Sequence, residues 1–221
     1  MSTKLADLTP AAQDYLRAVY LLEIDGARVT TSALAKRMRV SAPSATAMAK
    51  RLAELDLVER TPYRGLVLTA GGRRAALELL RHHRLLERFL VDTLGLTLDQ
   101  VHDEADRLEH ALSEALEARI DAALGFPTHD PHGDPIPDAR LNLVSTGGRL
   151  LAEASEGERV TVRVVPDGDA SLLSYLREIG VLPGTELELL ARAPFAGPLT
   201  LRTPAGETAV SRELAARIGI A

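Results

Sequence analysis

The chain has 221 residues, no cysteine, no tryptophan and a net charge of −5. The length suits two or three domains, and the lack of cysteine excludes disulfides, thiolate zinc sites and thiol catalysis and fits a reducing, cytoplasmic setting. No apolar run approaches the roughly 18 residues of a membrane span, and the opening MSTKLADLTP has no signal-peptide core.

Residues 9–25 read as a helix, with Thr9 as N-cap, Pro10 in the first turn and Leu16, Val19, Tyr20 and Ile24 at helical spacing. A short helix at 31–39 buries Leu34, Ala35 and Met38. After Val40, SAPSATAMAKRLAELDLV opens with a serine cap and a proline, and buries Ala45, Met48, Ala49 and Leu52. Two short helices joined by a brief turn predict a helix-turn-helix. In VERTPYRGLVLTAGG, Val58, Leu66 and Leu68 alternate around a turn, as in the β-hairpin wing of a winged helix.

Thr69 caps a long helix over 70–94, and a further helix is predicted over 98–124. FPTHDPHGDPIPD holds four prolines in thirteen residues and reads as a connection. From Gly157 the period changes to alternation: GERVTVRVV, TELELLARA, PLTLRTP and GETAVS read as strands, with LLSYLREIG as a helix. Short strands at this spacing predict a small barrel of SH3 type.

Charge is unevenly placed. Residues 28–75 carry ten Lys/Arg and three Asp/Glu, whereas residues 97–138 carry two and eleven. A basic block suits phosphate, and the acidic block calls for a different partner.

The acidic block contains VHDEADRLEH. On a helix, His102, Asp106, Glu109 and His110 fall at offsets 0, +4, +7 and +8, so the first three form one stripe. The preceding helix repeats the theme in RHHRLLERFL, where His83 and Glu87 are one turn apart on the face of Leu79, Leu86 and Leu90. A buried carboxylate is costly unless paired or bound to metal. Acid–base pairs on helix surfaces would explain any one of these residues. Together they form an oxygen and imidazole ligand set suited to Mn²⁺, Fe²⁺, Co²⁺, Ni²⁺ or Zn²⁺, with the carboxylates favouring the harder ions. A hydrolytic dinuclear centre is disfavoured, because no separate nucleophile or substrate-pocket signature accompanies the cluster; the chain reads as no enzyme, with no small-molecule substrate.

Across its whole length the sequence resembles the diphtheria toxin repressor family of metal-dependent transcription regulators, which includes the manganese transport regulators. The carrying segments are DYLRAVYLLE, the winged helix from Val29 to Thr69, YRGLVLTAGG, HHRLLERFL, VHDEADRLEH and HDPHGDPIP. The resemblance implies a mainly α N-terminal part, made of a winged helix-turn-helix (1–73) and a helical metal-binding and dimerisation domain (74–140). A linker (141–156) and a small all-β SH3-like, FeoA-like domain (157–221) follow.

Two metal sites per subunit are implied: His83, Glu87 and His102 in one, and Asp14, Asp106, Glu109 and His110 in the other. Iron-sensing members have Met at the position of Asp14 and Cys at that of Asp106. Manganese-sensing members have carboxylates at both, plus an acid where this chain has Arg17. Mn²⁺ is therefore the first expectation and Fe²⁺ the second. Asp169 aligns with a ligand that the SH3-like domain lends to the ancillary site in iron-type members, and Leu172 with the other, so at most one survives. His129 and His132 are read as structural, and His82 as facing away from His83.

The expected partner is double-stranded DNA, bound as a homodimer on a palindromic operator. Ser41, Pro43, Ser44 and Thr46 would face bases; Lys50, Arg51, Arg60 and Arg64 would face phosphates. A cation tying Asp14 to Asp106, Glu109 and His110 would restrict the two heads to the DNA-competent spacing, most simply as a repressor of metal uptake. The alternative is a winged-helix regulator with a non-metal effector.

Overall fold

Thr9 accepts a hydrogen bond from the Ala12 amide and Pro10 follows at the first helical position, and from there α1 runs Pro10–Ile24. The computed structural model describes residues 5–26, 28–61, 65–144 and 147–221. They divide into two compact units: the chain up to His83 with Arg107–Glu117 and Pro137–Asn142, and Arg84–Asp106 with Ala118–Ile136 and Leu143–Ala221.

In the first unit α1 packs against α2 (Thr31–Arg37) and α3 (Ala42–Glu54). Leu16, Val19, Leu34, Ala45 and Leu52 form their shared core. The second helix is two residues shorter than predicted, since Met38 caps it and Arg39 turns to a φ of 53°. Ser41 caps α3 by accepting from Ser44 N. The wing is the antiparallel pair β1 (Val58–Thr61) and β2 (Gly65–Leu68), with Val58 opposite Leu68. Thr69 receives the Gly72 amide and donates to the Asp56 carbonyl, which starts α4 (Ala70–Leu94). Gly72 is required there: a Cβ would lie 1.8 Å from the Leu57 carbonyl oxygen.

The helix expected over 98–124 is two helices. The first, α5, is Leu98–Leu108; a 3-10 turn, Glu109–Ala111, follows; α6 is Glu114–Ala123. Ser113 makes the break, its hydroxyl accepting from Leu116 N in a new N-cap. Glu109 and His110 therefore leave the helical stripe that their sequence offsets implied.

In the second unit the sheet strands are β3 (Arg149–Leu150), β4 (Arg159–Val164), β5 (Glu186–Arg192), β6 (Leu199–Thr203), β7 (Gly206–Val210) and β8 (Gly219–Ile220). Their order is β3-β8-β4-β5-β6-β7, with every pairing antiparallel. Two helices, α7 (Ala170–Glu178) and α8 (Arg212–Ala215), accompany the sheet. Val160, Val162, Leu173, Leu187, Leu189 and Leu201 lie in its core, and Leu98 at the head of α5 packs against it. The expected mainly α N-terminal part and all-β-sheet C-terminal part are both present. No helix among the described residues is long and apolar enough to cross a membrane.

Candidate metal centres

The division between the units crosses the predicted ligands between His83 and Arg84 and again between Asp106 and Arg107, and each unit's part is described by itself.

In the first unit, Asp14, Glu109 and His110 offer donor atoms within 4.8 Å of one another. Asp14 comes from α1, and the other two from the 3-10 turn. His110 Nε2 lies 3.2 Å from Asp14 Oδ1 and 3.7 Å from Glu109 Oε1. The Glu109 side chain has no exposure to solvent. Its Oε2 accepts from Arg17 Nη1 at 2.6 Å and sits 2.7 Å from His83 Nδ1. Its Oε1 is buried and has no hydrogen-bond partner among the described residues. One carboxylate oxygen thus faces a resident cation, and the other points at an imidazole nitrogen and an acid. Divalent cations favour such an orphaned acceptor.

The tautomer of His110 follows from Gln13. That side chain is buried; its amide donates to the carbonyls of Leu5 and Leu8, and its Oε1 lies 2.7 Å from His110 Nδ1. With both amide hydrogens committed, Oε1 can only accept, so Nδ1 carries the proton and Nε2 keeps its lone pair toward Asp14. Sequence reasoning missed Gln13, a polar residue on a helical face with no pattern to mark it.

In the second unit, Glu87 Oε1 is 3.2 Å from His102 Nδ1, and His102 Nε2 is 3.7 Å from Asp106 Oδ2. These three predicted residues are together. On the other side of the same carboxylate, Glu87 Oε2 lies 3.6 Å from His132 Nδ1. His132 was expected to be structural. It is fully buried, and among the described residues neither its ring nitrogens nor the buried Asp130 Oδ2 makes a well-aligned hydrogen bond. Glu87, Asp130 and His132 form a second, wholly buried set of donors within 4.8 Å of one another.

The proline-rich connection builds this set. Asp130 Oδ1 accepts from the amides of His132 and Asp134. Gly133, at a φ of 94°, approaches so closely that a Cβ would be 1.8 Å from the Arg163 carbonyl oxygen. The His132 carbonyl then accepts from Val165 N beyond the end of β4. Donors over forty residues from Glu87 give no local periodic signal, which is why the sequence does not show this grouping. Arg84 lies 3.4 Å from Asp130 and bonds the Pro135 carbonyl. Burial, followed by the charge of Glu87, pushes the Asp130 carboxyl up to about 7. Burial opposes charge on His132, but the adjoining Glu87 and Asp130 outweigh it and lift the ring to about 9.

Asp169 caps α7, its Oδ1 accepting from the amides of Ser171 and Leu172 and from the Ser171 hydroxyl. Those bonds hold its carboxyl below the usual range. Ser41, Pro43, Ser44, Thr46, Lys50 and Arg51 share the exposed side of α3, and Arg60 is exposed on β1. Thr46 returns its hydroxyl to the Ala42 carbonyl, and Lys50 lies 3.8 Å from Glu54. Arg64 lies outside the described residues.

Three family models cover the chain: "Iron dependent repressor, N-terminal DNA binding domain" matches residues 7–66, "Iron dependent repressor, metal binding and dimerisation domain" residues 69–138, and "FeoA domain" residues 149–221. The chain is 34 % identical to the diphtheria toxin repressor of Corynebacterium efficiens, over 84 % of this chain and 85 % of that protein. It is 33 % identical to the iron-dependent repressor IdeR of Mycobacterium leprae, over 82 % and 84 %. Among solved structures, a manganese-dependent transcriptional repressor in complex with manganese is 41 % identical, with a TM-score of 0.85, covering 95 % of this chain and 98 % of that one. The manganese regulator SloR is 34 % identical, with a TM-score of 0.80, covering 97 % and 99 %. These relatives are transcriptional repressors rather than enzymes. At this identity and coverage, the chain belongs to the diphtheria toxin repressor family of iron-dependent repressors.

Proposed function

We propose that this protein is a Mn²⁺-responsive repressor, with Fe²⁺ as the next-best effector, that binds a palindromic operator as a homodimer. The observation that carries the reading is the convergence of Asp14, Glu109 and His110, with Glu109 Oε1 left orphaned between two other donors. These residues would hold one cation. Glu87 and His102, with His83 as the resemblance implied, would hold a second, and the buried Asp130 and His132 lie on the other side of Glu87. Neither set contains sulfur, and oxygen with imidazole suits Mn²⁺ better than the softer ions. The manganese-bound structure that this chain matches at 41 % identity supports the same choice.

Asp14 lies in α1, which packs on α2, α3 and β2. A cation joining Asp14 to the Glu109–Ala111 turn would therefore fix the winged helix against the segment that follows α5. Metal and DNA must strengthen each other's binding by the same factor. On this reading α3 enters the major groove by its N-terminus, Ser41, Pro43, Ser44 and Thr46 meet base edges, and Lys50, Arg51, Arg60 and Arg64 meet phosphates.

The test is fluorescence-anisotropy binding to a palindromic operator from a metal-transporter promoter, first with chelator and then with Mn²⁺, Fe²⁺ under anaerobic conditions, and Zn²⁺. Binding only with metal, strongest with Mn²⁺, is expected. Operator binding that ignores metal would favour the non-metal effector instead.

A further inference from the structure

His82 precedes one predicted ligand, yet its side chain turns toward a different group of acids. It is 97 % buried, since its side-chain exposure is 3 %. Nε2 lies 2.9 Å from Glu117 Oε2 and 3.7 Å from Glu114 Oε1. Neither ring nitrogen makes a well-aligned hydrogen bond among the described residues. One turn before His82 on α4 stands Glu78, and one atom from each of Glu78, His82 and Glu114 falls within 4.8 Å of the others. Every one of these residues belongs to the first unit, and none takes part in the two groups described above.

The arrangement is a Glu-x-x-x-His pair on α4 facing a Glu-x-x-Glu pair in the first turn of α6. Pairs of this kind on facing helices build carboxylate–imidazole metal sites in helical bundles. Arg81 Nε takes Glu117 Oε1 at 2.6 Å, and its Nη1 takes the Pro137 carbonyl. That guanidinium pairs with Glu117, and Arg74 adds positive charge near Glu78. Burial, followed by the neighbouring Glu114, pushes the Glu78 carboxyl up to about 7, as expected of two acids crowded together. Glu114 is 75 % exposed, so the group opens to solvent and can exchange an ion.

We infer that Glu78, His82 and Glu114 form a third divalent-cation site, with Glu117 beside it and water completing the coordination on the solvent side. Its donors, two carboxylates and one imidazole, suit Zn²⁺ or Mn²⁺. The ion would clamp the start of α6 to α4. Glu114 follows Ala111, the end of the turn that carries Glu109 and His110, by only three residues. The clamp would thus also steady that turn.

The test counts metal directly. The chelator-stripped full-length protein is dialysed against Zn²⁺, and in parallel against Mn²⁺, and bound metal per subunit is measured by elemental analysis. The variants are Glu114→Gln and Glu78→Gln, with Asp14→Asn as a reference. Each glutamine variant is expected to bind one equivalent fewer than wild type, and Glu114→Gln combined with Asp14→Asn two fewer. Melting curves of the exposed Glu114→Gln variant verify its fold. Wild-type stoichiometry in both glutamine variants would overturn the site and leave His82 as an ion-pair partner only. Loss in those variants with no loss in Asp14→Asn would keep this site and sink the Asp14 centre instead.

Discussion

Gln13 Oε1 lies 2.7 Å from His110 Nδ1, and this single contact decides which nitrogen of His110 is available to a cation. Replacing Gln13 with Met removes that constraint and leaves the shape nearly unchanged. Metal affinity at the Asp14 centre is expected to fall about 10- to 100-fold, the usual effect of losing a ligand's orienting partner. Titration of Mn²⁺ against operator binding reads this as a shift in midpoint; an unchanged midpoint would show that His110 needs no orientation.

Arg17 Nη1 supplies the positive charge that Glu109 Oε2 accepts inside the protein. In Arg17→Met, a fully buried carboxylate loses its strongest neighbour. Removing one partner of a buried ion pair costs about 3 kcal/mol. The metal-free variant should melt well below wild type, and saturating Mn²⁺ should recover more of the loss than it adds to wild type, because a cation would take over part of the guanidinium's role. Equal Mn²⁺-induced shifts in both proteins would argue that Arg17 and the cation do not share Glu109.

Asp130 and His132 both hold their protons more tightly in the folded chain than in the unfolded one, at about 7 and about 9. For both groups that contribution to stability is present at low pH and is lost as pH rises, through about 7 for Asp130 and through about 9 for His132. Metal reverses the preference, since a ligand carboxylate must be ionised and a ligand imidazole neutral. Binding at the Glu87, Asp130 and His132 group should release protons at pH 7, and affinity there should rise toward pH 9. Calorimetry of Mn²⁺ binding in buffers of different ionisation enthalpy measures the released protons, and His132→Gln should release fewer. Identical proton release in the variant would remove His132 from the site.

Lys50 and Arg51 stand exposed on α3. Removing either should weaken binding to all sequences alike and lower the slope of log affinity against log salt by about 1. Ser44→Ala should leave the slope intact and change base preference. A salt titration of operator and scrambled DNA separates the two; an unchanged slope for Arg51→Ala would place that residue away from the phosphates.

The winged helix was legible because caps and periods agreed: Thr9 with Pro10, Ser41 with Pro43, and the alternation of Val58, Leu66 and Leu68 each marked an element that the structure contains. The barrel strands were legible for the same reason. The helix over 98–124 was misread because Leu108, Leu112 and Leu116 keep a helical spacing straight through the Ser113 cap, so periodicity concealed a stop. The ligand types were visible as residues, but their grouping was not. His132 meets Glu87 only because the proline-rich connection folds back, and Gln13 joins the proposed metal centre only through contact with a residue 97 positions away.

The tight approach of Gly133 to the Arg163 carbonyl, with the Val165 amide held by His132, makes the barrel part of the wall behind a buried imidazole. A chain that ended before β3 would lose that wall, and the connection from Asp130 to Asp134 would keep its own Asx turn but no longer its backing. The small sheet domain is then a buttress: its first full strand backs the loop that presents His132 to Glu87, and sequence changes at Arg163 to Val165 would alter a buried donor group to which they contribute no side chain.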